Sequence, residues 1–415
     1  MAKRKQTKSR TQVAGQLAAT SEKFLAGFSG WIGKTFRHQS KDFNILLGIT
    51  LVLVSIGTMM VLSASYVDAV KSGGGAYSIF LKQGLAAIAG LLLMGFASRV
   101  PSFGLQKLAQ PFFVFALGLQ VAVLAIGTAS KGNKNWINIF GLSIQPSEFL
   151  KLAMVIYISA LLARRDAELD IPKRTWFPAL GVGVVAMVLV IAGSDLGTVI
   201  IMFLMVLVQL SVAGMPRRIV GTLTGLAAVV IPIAVNSNAS RAARVAAWLN
   251  PSAPDPNDVN WQSKHGIWAL ASGGLGGTGL GESKMKWSWI PEVENDFIFA
   301  IIGEELGLVG AIVVIALFIG LGFALIKIIM NTQGKFERYV VMGVLAWIVI
   351  QAIINIAVVI GFLPVLGVPL PLISSGGSSL LSTLAAIGIA LGVERQNSQA
   401  PLRRKPIARK APARR

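Results

Sequence analysis

Residues 291–307 read PEVENDFIFAIIGEELG and join a long polar segment to an apolar run that continues to about Met330. Asp296 is the last residue before that run, so its carboxylate is predicted to lie where water meets hydrocarbon. A carboxylate in such a place suits a proton acceptor for a substrate hydroxyl. It equally suits an N-cap, because Asp at a helix start accepts backbone N–H groups and interacts favourably with the dipole. Spacing alone favours the cap.

The helix expected to follow Asp296 carries small residues on one face. If it is uninterrupted, the glycines that share a face with Asp296 are Gly303, Gly307 and Gly310. This small face favours either close helix packing or a groove for a ligand. Glu304 and Glu305 lie about two turns into the apolar run, where unpaired charges are expensive. We expect them to be paired, to line a cavity or to be protonated.

Composition identifies the class of protein. The chain has 415 residues, of which 54% are hydrophobic and 13% charged, and its mean hydropathy is +0.69. These values exclude an ordinary soluble domain and predict an all-α polytopic membrane protein. Cysteine is absent, which excludes disulfides and thiolate metal sites. No apolar core precedes Phe43, so we expect no cleavable signal peptide.

Apolar runs divide the chain into transmembrane helices and connections. A span needs about 20 apolar residues, and ten segments qualify or nearly qualify: 43–65, 77–98, 108–128, 148–164, 176–193, 198–214, 219–237, 297–329, 338–361 and 373–393. The membrane domain is therefore predicted at 43–393. Residues 1–42 and 394–415 are predicted to be basic tails on the cytoplasmic side, the first largely disordered.

Basic residues of the connections determine the orientation. The net charge is +20, but the cations cluster in the tails and in alternate connections, which indicates topology signals and contacts with anionic lipid rather than nucleic acid. Those in connections and in the second tail fall on one side: Arg99, Lys107, Arg164, Arg165, Lys173, Arg174, Arg217, Arg218, Lys335, Arg338 and the stretch from Arg395 to Arg415. Both termini are thus predicted to be cytoplasmic.

The opposite, extracytoplasmic side receives the longest connection, about 238–296, which leads directly to Asp296. Its first part, rich in Pro and Asn, is predicted to be irregular. Residues 261–270 are predicted to form a short interfacial helix anchored by Trp261 and Trp268. A glycine-rich stretch at 273–281 lacks the strand and helix of a phosphate-binding loop and is interpreted as a flexible connector.

Polar residues inside or beside the apolar segments are candidates for a site. Glu148 and Lys151 are three residues apart, so they share a helix face and are predicted to pair, either functionally or structurally. Asp195 lies in a tight turn between two apolar runs, and the stretch SSGGSS at 374–379 interrupts the start of the last span. These features and Asp296 converge on the outer face. They are interpreted either as one shared site or as independent helix ends.

Several motifs in order carry a resemblance to a known family. They are QPSE at 145–148 with Lys151, DLGT at 195–198, the stretch at 291–307, PLP at 369–371 and SGGSS at 375–379. Together they span the membrane domain, and the chain resembles the SEDS proteins (shape, elongation, division and sporulation), more closely the division-type FtsW branch than the RodA branch. The chain departs from the family pattern at Glu294-Asn295, Asn135 and Ser374-Ser375.

The resemblance implies a ten-helix, GT-C-like peptidoglycan glycosyltransferase that polymerises lipid II at the outer face of the bacterial plasma membrane, at the division septum. It implies a class B penicillin-binding transpeptidase and other division proteins as partners. Asp296 matches the essential aspartate of the family, which overturns the N-cap preference, and Glu148 with Lys151 matches its buried pair. Further residues are expected to bind substrate or support the site: Trp136, Gln145, Asp195, Lys286, Glu304, Ser375, Gly376 and Gly377.

The implied reaction is attack by the 4-hydroxyl of one lipid-linked disaccharide on the anomeric carbon at the lipid-linked end of another strand. The diphosphate leaves as a stable anion, so one base suffices, and Asp296 is assigned that role. Candidates for compensating the charge of the diphosphate are Lys284, Lys286, Arg241, Arg244 or a divalent cation, Mg²⁺ or Mn²⁺. No organic cofactor is expected.

Two other functions stay open at the level of sequence. Embedded charges and broken helices also describe a lipid II flippase, although no inverted repeat is evident and the polar residues gather at the outer face rather than at the midplane. A scaffold that only recruits the transpeptidase would leave Asp296 and Glu148 unexplained.

Overall fold

The computed structural model describes residues 39–71, 75, 77–130, 133–139, 142–169, 171–252, 259–287 and 289–399. The chain divides into a unit of residues 1–41 and a unit that begins at Asp42, and the second unit carries the membrane helices. The predicted first tail lies almost wholly outside the described residues, as does the second tail from residue 400 onward.

The described residues are mainly helical. In chain order the elements are α1 (Lys41–Lys71), α2 (Ser78–Ala97), α3 (Ser102–Ile126), β1 (Thr128–Ser130), β2 (Asn133–Ile139), β3 (Leu142–Ile144), α4 (Pro146–Arg164), a 3₁₀ turn (Asp166–Glu168), α5 (Trp176–Ala192), α6 (Leu196–Val212), α7 (Arg217–Asn236), α8 (Ala239–Leu249), α9 (Trp261–Ser272), α10 (Ile298–Glu305), α11 (Gly307–Asn331), α12 (Lys335–Val359) and α13 (Gly377–Gln399).

Length and hydropathy make the chain a multi-pass membrane protein. Among the described residues, 8 helices are long and apolar enough to cross a bilayer, and α5 and α6, of 17 residues each, are shorter apolar helices. Each predicted span coincides with one of these helices, except that the span predicted at 297–329 comprises two. The last helix continues to Gln399, beyond the predicted boundary at 393.

The break between α10 and α11 corrects the prediction of one straight helix from Asp296. Gly307 has a φ of +68°, which ends the regular helix. The amides of Leu308 and Val309 bond to the carbonyls of Gly274 and Leu275 at 2.9 and 3.3 Å. The predicted face of Gly303, Gly307 and Gly310 beneath Asp296 is therefore wrong, because the helix that would align them is interrupted.

The glycine-rich stretch at 273–281 bonds directly to the backbone at this break, which corrects its interpretation as a flexible connector. The amides of Thr278 and Gly279 donate to the carbonyls of Glu304 and Glu305, at 2.9 and 3.1 Å. Carbonyls that the end of α10 leaves without intrahelical partners are thus satisfied from outside. A Cβ at Gly277, where φ is +83°, would overlap the carbonyl oxygen of Glu305, so close backbone approach requires glycine there.

A small antiparallel sheet, in the order β1-β2-β3, makes the all-α prediction wrong at residues 128–144. Asn135 and Ile137 are buried, whereas Asn138 is exposed and Lys134 and Trp136 are intermediate. This alternation is that of a strand with one buried face. The sheet is attached to the end of α5, because the amide of Lys134 donates to the carbonyl of Gly193 at 3.0 Å.

The segment between α7 and α10 is more regular than predicted. Residues 239–249 form α8, which begins because the side-chain oxygen of Asn238 accepts the amides of Ser240 and Arg241 at 3.0 and 3.3 Å. Pro251 follows its end. The helix predicted at 261–270 is confirmed as α9, and Trp261 stacks on Trp289 with ring centroids 5.9 Å apart.

Burial distinguishes central helices from a peripheral one. In their most apolar windows, 78% of α4 and 89% of α13 are buried within the protein, against 0% of α7. Helices surrounded by protein can carry charged side chains that pair with their neighbours. The candidate residues on α4 and at the start of α13 therefore lie inside the protein, whereas α7 faces the bilayer.

We expect Gly277→Ala to lower the free energy of unfolding by roughly 1–3 kcal/mol, because alanine is strained at positive φ and its Cβ meets a backbone oxygen. Denaturant titration in detergent, followed by tryptophan fluorescence, measures the change. Gly276→Ala is the matched control, since no atom lies within 4 Å of a Cβ at that position. Equal stability of the two variants would contradict the role given to Gly277.

Candidate active site

A buried ion pair is at the centre of the site. The Nζ of Lys151 lies 2.8 Å from Oε1 of Glu148, and the two side chains are 1% and 2% exposed. The ammonium also donates to Oε1 of Gln351 at 2.8 Å and lies 4.9 Å from the ring centroid of Trp347. Ser382 donates to the other Glu148 oxygen at 3.3 Å. The predicted pair is confirmed, and it joins α4 to α12 and α13.

Two buried amide side chains of α12, one turn apart, extend from this pair. Gln351 donates to the carbonyl of Pro369 at 2.9 Å. Asn355 donates to the carbonyls of Val368 and Asp296, at 2.7 and 2.8 Å. Sequence reasoning missed both residues, although amides four apart inside an apolar run are the kind of intramembrane polar group that signals a site. Together they hold the segment before α13 and the backbone of Asp296.

Asp296 lies just before α10, half-buried. The N-cap position of that helix is Phe297, so the interpretation of Asp296 as the cap is wrong. Oδ2 of Asp296 is 3.6 Å from where a Cβ of Gly367 would lie. The carboxylate therefore borders the irregular 361–376 segment, where no side chain at Gly367 obstructs it.

The Ser/Gly break before α13 is attached to the residues that precede Asp296. The amide of Ser375 donates to the carbonyl of Glu294 at 2.8 Å. The side chain of Gln83, on α2, donates to the carbonyl of Ser374 at 3.2 Å and accepts the amide of Gly376 at 3.1 Å. Sequence reasoning missed Gln83, a single buried amide in an apolar helix. Ser375, Gly376 and Gly377, the first residue of α13, thus lie beside the loop that carries Asp296.

Asp195 caps α6 and connects it to α4. Its carboxylate accepts the amide and the hydroxyl of Thr198 at 2.9 and 2.8 Å and the side chain of Gln145 at 3.3 Å. Burial raises the pKa of the Asp195 carboxyl above its ordinary value, although the bonds from Thr198 oppose that shift. The backbone amide of Gln145 donates to the hydroxyl of Ser378 at 3.0 Å. Gln145 and Asp195 therefore belong to the same polar network as Glu148.

Lys286 and Glu304 belong to a second buried cluster, beside the helix break. Ser283 donates to Glu304 at 2.5 Å, whereas Lys286 pairs with Glu305 at 3.4 Å. Ser63 of α1 also donates to Glu305, at 2.6 Å. The acidic residues of α10 thus hold the preceding loop in place. Lys286, as a candidate for compensating the charge of a diphosphate, already has a carboxylate partner.

Trp136 lies on β2, opposite Thr128 of β1. Its strand is anchored beside Gly193, two residues before Asp195. The sheet therefore places Trp136 near the end of α5, on the same side of the helices as the start of α6.

A cavity of about 120 Å³, lined by both polar and apolar residues, lies between the start of α6, α8 and the 361–376 segment. Residues 194–197, Arg241, Arg244 and residues 364–366 contribute to its lining. Arg241 donates to the carbonyls of Ser194 and Ala234, at 2.7 and 3.2 Å. Residue 366, in this lining, directly precedes Gly367, the residue beside the carboxylate of Asp296.

Comparison with known families gives one match over most of the chain. The family model FTSW_RODA_SPOVE, described as cell cycle protein, matches residues 44–399. The protein of Mycobacterium tuberculosis named "probable peptidoglycan glycosyltransferase FtsW" is 37% identical over 406 residues, covering 95% of this chain and 76% of that protein. Stage V sporulation protein E of Bacillus subtilis is 36% identical over 365 residues, covering 87% of this chain and 99% of that protein.

Solved structures of similar fold come from the same kind of protein. A chain from a peptidoglycan synthase complex, described as coordinating polymerization and crosslinking, has a TM-score of 0.68 and 27% identity, over 85% of this chain and 98% of that one. The rod shape determining protein RodA of Thermus thermophilus has a TM-score of 0.64 and 25% identity, over 88% of this chain and 99% of that one.

We expect Lys151→Met to lower the free energy of unfolding by roughly 3–5 kcal/mol, because it leaves the buried carboxylate of Glu148 without a cation. The double variant Glu148→Gln/Lys151→Met should recover part of this loss, since it buries no uncompensated charge. Lys335→Met, which removes an exposed pair with Asp166, is the control and should cost at most about 1 kcal/mol. Denaturant titration in detergent measures the free energy of unfolding of each variant. If Lys151→Met loses no more of it than the control does, Lys151 does not compensate the buried charge of Glu148.

Proposed function

Because the chain belongs to the FtsW, RodA and SpoVE family of cell cycle proteins, we propose a mechanism built on the residues around Asp296. The protein is a peptidoglycan glycosyltransferase of bacterial cell wall synthesis. Its substrate is lipid II, and Asp296 is the general base. The observation that carries the mechanism is the position of Asp296: Asn355 holds its backbone carbonyl, and its carboxylate borders Gly367, one residue after the segment that lines the cavity with the two arginines.

In this mechanism the 4-hydroxyl of one lipid-linked disaccharide attacks the anomeric carbon at the lipid-linked end of another strand. Asp296 accepts the proton of that hydroxyl as the new glycosidic bond forms. The bond between the anomeric carbon and the diphosphate oxygen breaks, and the oxygen keeps the electron pair. Because a diphosphate is a stable anion, the leaving group requires no acid, and one carboxylate suffices.

The buried pair and the amides of α12 position the base in this proposal. Glu148 and Lys151 hold Gln351, and Gln351 and Asn355 hold the carbonyls of residues 368 and 369. Gln145 and Asp195 hold the start of α6 at the edge of the cavity. Trp136, Ser375, Gly376 and Gly377 are proposed to border the substrate, whereas Glu304 and Lys286 stabilise the loop before Asp296.

The topology belongs to the same proposal. The 8 long helices and the shorter α5 and α6 support the proposal of ten spans, with both termini in the cytoplasm and the 238–296 segment outside the plasma membrane. The likeness to a chain of a complex that coordinates polymerization and crosslinking supports a class B transpeptidase as the partner. Septal location and other division proteins as partners are proposed from the likeness to a protein named FtsW, and anionic lipid is proposed to bind the basic tails.

A divalent cation stays a prediction. In the described ranges, no group of three or more His, Cys, Asp or Glu side chains is placed to hold a metal ion. The acidic residue of the cavity, Asp195, is already bonded to Thr198 and Gln145. These residues do not form a metal cage, and a cation would be carried by the diphosphate of the substrate, as Mg²⁺ commonly is.

We expect Asp296→Asn to lower the polymerase rate by about 10² to 10⁴, because the amide cannot accept the proton of the attacking hydroxyl. The measurement uses protein in matched folded amounts with its class B transpeptidase, labelled lipid II, and a gel that resolves glycan chains. Asp166→Asn, on the 3₁₀ turn that follows α4, is the control and should polymerise normally.

The same variant separates the three functions. If Asp296→Asn polymerises lipid II at the wild-type rate, Asp296 is not the general base. If wild type makes no glycan even with its partner, a liposome assay of lipid II translocation tests the flippase. If wild type with its partner shows neither polymerisation nor translocation, the scaffold is favoured.

We expect Asn355→Leu to lower kcat by about 10-fold to 100-fold with little change in KM, because a displaced base loses reaction geometry rather than substrate affinity. The matched control is Asn331→Leu, at an exposed residue. Asn355→Gln, which keeps a donor, should retain more activity than Asn355→Leu. A higher KM with unchanged kcat in Asn355→Leu would contradict the positioning role of Asn355.

A further inference from the structure

Four aromatic rings of the segment before Asp296 contact one another and are here called the aromatic platform: Trp261, His265, Trp268 and Trp289. The first three share a face of α9, because they are spaced by four and then three residues. The ring centroid of His265 lies 4.0 Å from that of Trp261 and 4.8 Å from that of Trp268. Trp289, in the loop after α9, stacks on Trp261 and on His265, with centroids 5.9 and 5.5 Å apart. The mechanism proposed above gives these rings no role.

One face of the Trp289 indole is open. Trp261 and His265 lie so close to each other that both must be on the same side of Trp289. Their ring planes are inclined to the indole by only 11° and 21°. His265 is 4% exposed, whereas Trp289 is 49% and Trp268 53% exposed. The outer face of Trp289 is therefore accessible and is supported from behind by two stacked rings.

The platform is attached to the chain on both sides of Asp296. The indole N–H of Trp261 donates to the carbonyl of Trp289, seven residues before Asp296. A Cβ at Gly266 would lie 2.9 Å from the ring of Phe297, so α9 packs directly on the residue that follows Asp296. These two contacts fix the platform relative to the proposed base.

The surface of a sugar suits such a platform. The axial C–H bonds of a pyranose ring make its face apolar, while hydroxyl and acetamido groups project from its rim. The positive C–H hydrogens are attracted to the negative face of an indole. Polar side chains for the rim are also present. Lys264 is three residues after Trp261 and four before Trp268, and Gln262 is held by a bond to the carbonyl of Pro291 at 2.9 Å.

The position of the platform favours a ligand of the reaction over membrane lipid. Lipid headgroups would also cover exposed indoles, since tryptophans collect at membrane interfaces. However, α9 and its stack are fixed to the loop that carries Asp296. In the proposed reaction the growing strand is joined to the diphosphate at its reacting end, and its hydrophilic sugars must extend from Asp296 into water, because burial in lipid is costly. The platform lies beside the start of that route.

We propose that the aromatic platform binds the N-acetylated sugars of the growing glycan strand, with one pyranose stacked on the open face of Trp289. This inference rests on the proposed function, because it concerns the same polymerisation. Sugars behind the reacting end stay bound after each transfer, so disaccharides are added without release of the strand. The platform therefore controls the length of the chains and takes no part in the bond-forming step.

The first test measures binding without chemistry. The full chain in nanodiscs of phosphatidylcholine is titrated by calorimetry with a soluble, lipid-free oligomer of the peptidoglycan disaccharide. Trp289→Ala should raise Kd by about 10-fold, the usual scale for losing one stacked aromatic contact. Trp289→Leu keeps apolar bulk but has no π face, so it should also weaken binding, and it decides if Trp289→Ala does not fold. Trp287→Ala is the matched control. It removes another exposed indole of the same loop, outside the platform, and should bind like wild type.

The second test measures chain length with labelled lipid II. Trp289→Ala should make shorter glycan chains than wild type, while the first coupling of two lipid II molecules keeps its rate. A merely structural role of Trp289 would lower that rate as well. Chains of wild-type length together with unchanged affinity for the oligomer would overturn the platform.

Further arms distinguish the ligand and the function. Brominated phosphatidylcholine quenches indoles that lie in the bilayer, so the fluorescence that is lost in Trp289→Leu should escape quenching in wild type. If it is quenched and oligomer binding does not depend on Trp289, the platform is a membrane anchor and the proposal is wrong. Oligomer binding that depends on Trp289 in a wild type that makes no glycan would contradict the proposed function but not the platform. Polymerisation by a wild type that binds no oligomer would contradict the platform alone.

Discussion

The rest of the site depends on the contacts that the buried ammonium of Lys151 makes. A charge inside a membrane protein is tolerated only with partners, and Lys151 has Glu148 on its own helix and Gln351 on α12. These two partners set the positions of α4 and α12 relative to each other. Because Gln351 and Asn355 are one turn apart, the same contact determines where α12 meets the backbone at Pro369, Val368 and Asp296.

Backbone that leaves regular helix within the protein needs substitute partners, and this chain supplies them in two ways. Amide side chains on α12 and α2 bond to the irregular 361–376 segment. At the other break the partners are backbone groups. The glycines of the 273–281 stretch allow it to approach α10 and α11 closely enough for direct backbone hydrogen bonds. Both breaks flank Asp296 in the structure. Irregular backbone at this depth is typical of helices that border a cavity.

Charge is distributed unevenly over the site. The carboxylates of Glu148 and Glu305 are each paired with a lysine, and Asp195 is hydrogen-bonded at a helix start. In contrast, the arginines of α8 line a cavity and are oriented by carbonyls rather than by carboxylates. In the proposed mechanism, the base and these two cations belong to the one segment between α7 and α10, and both are what a transfer reaction with an anionic leaving group requires.

Much of this could be predicted from residues alone. Long apolar runs require helices in a bilayer, the i,i+3 spacing of Glu148 and Lys151 puts them on one face, and both follow from local geometry. The motifs around Asp195, Asp296 and Ser375 placed the chain in its family. The short sheet at 128–144 and the helix α8 were missed because brief segments carry weak periodicity.

What the sequence by itself determined about this protein was its membrane class, the positions of its apolar helices and the residues that carry charge into them. Only the tertiary structure decided that the helix after Asp296 breaks at Gly307, that Gln351 and Asn355 hold the site, and that Lys286 is paired whereas Arg241 and Arg244 line a cavity. The physical reason is that periodicity and composition are local properties of the chain. Partners for buried charges and unpaired backbone groups come from segments distant in sequence, which packing alone brings together.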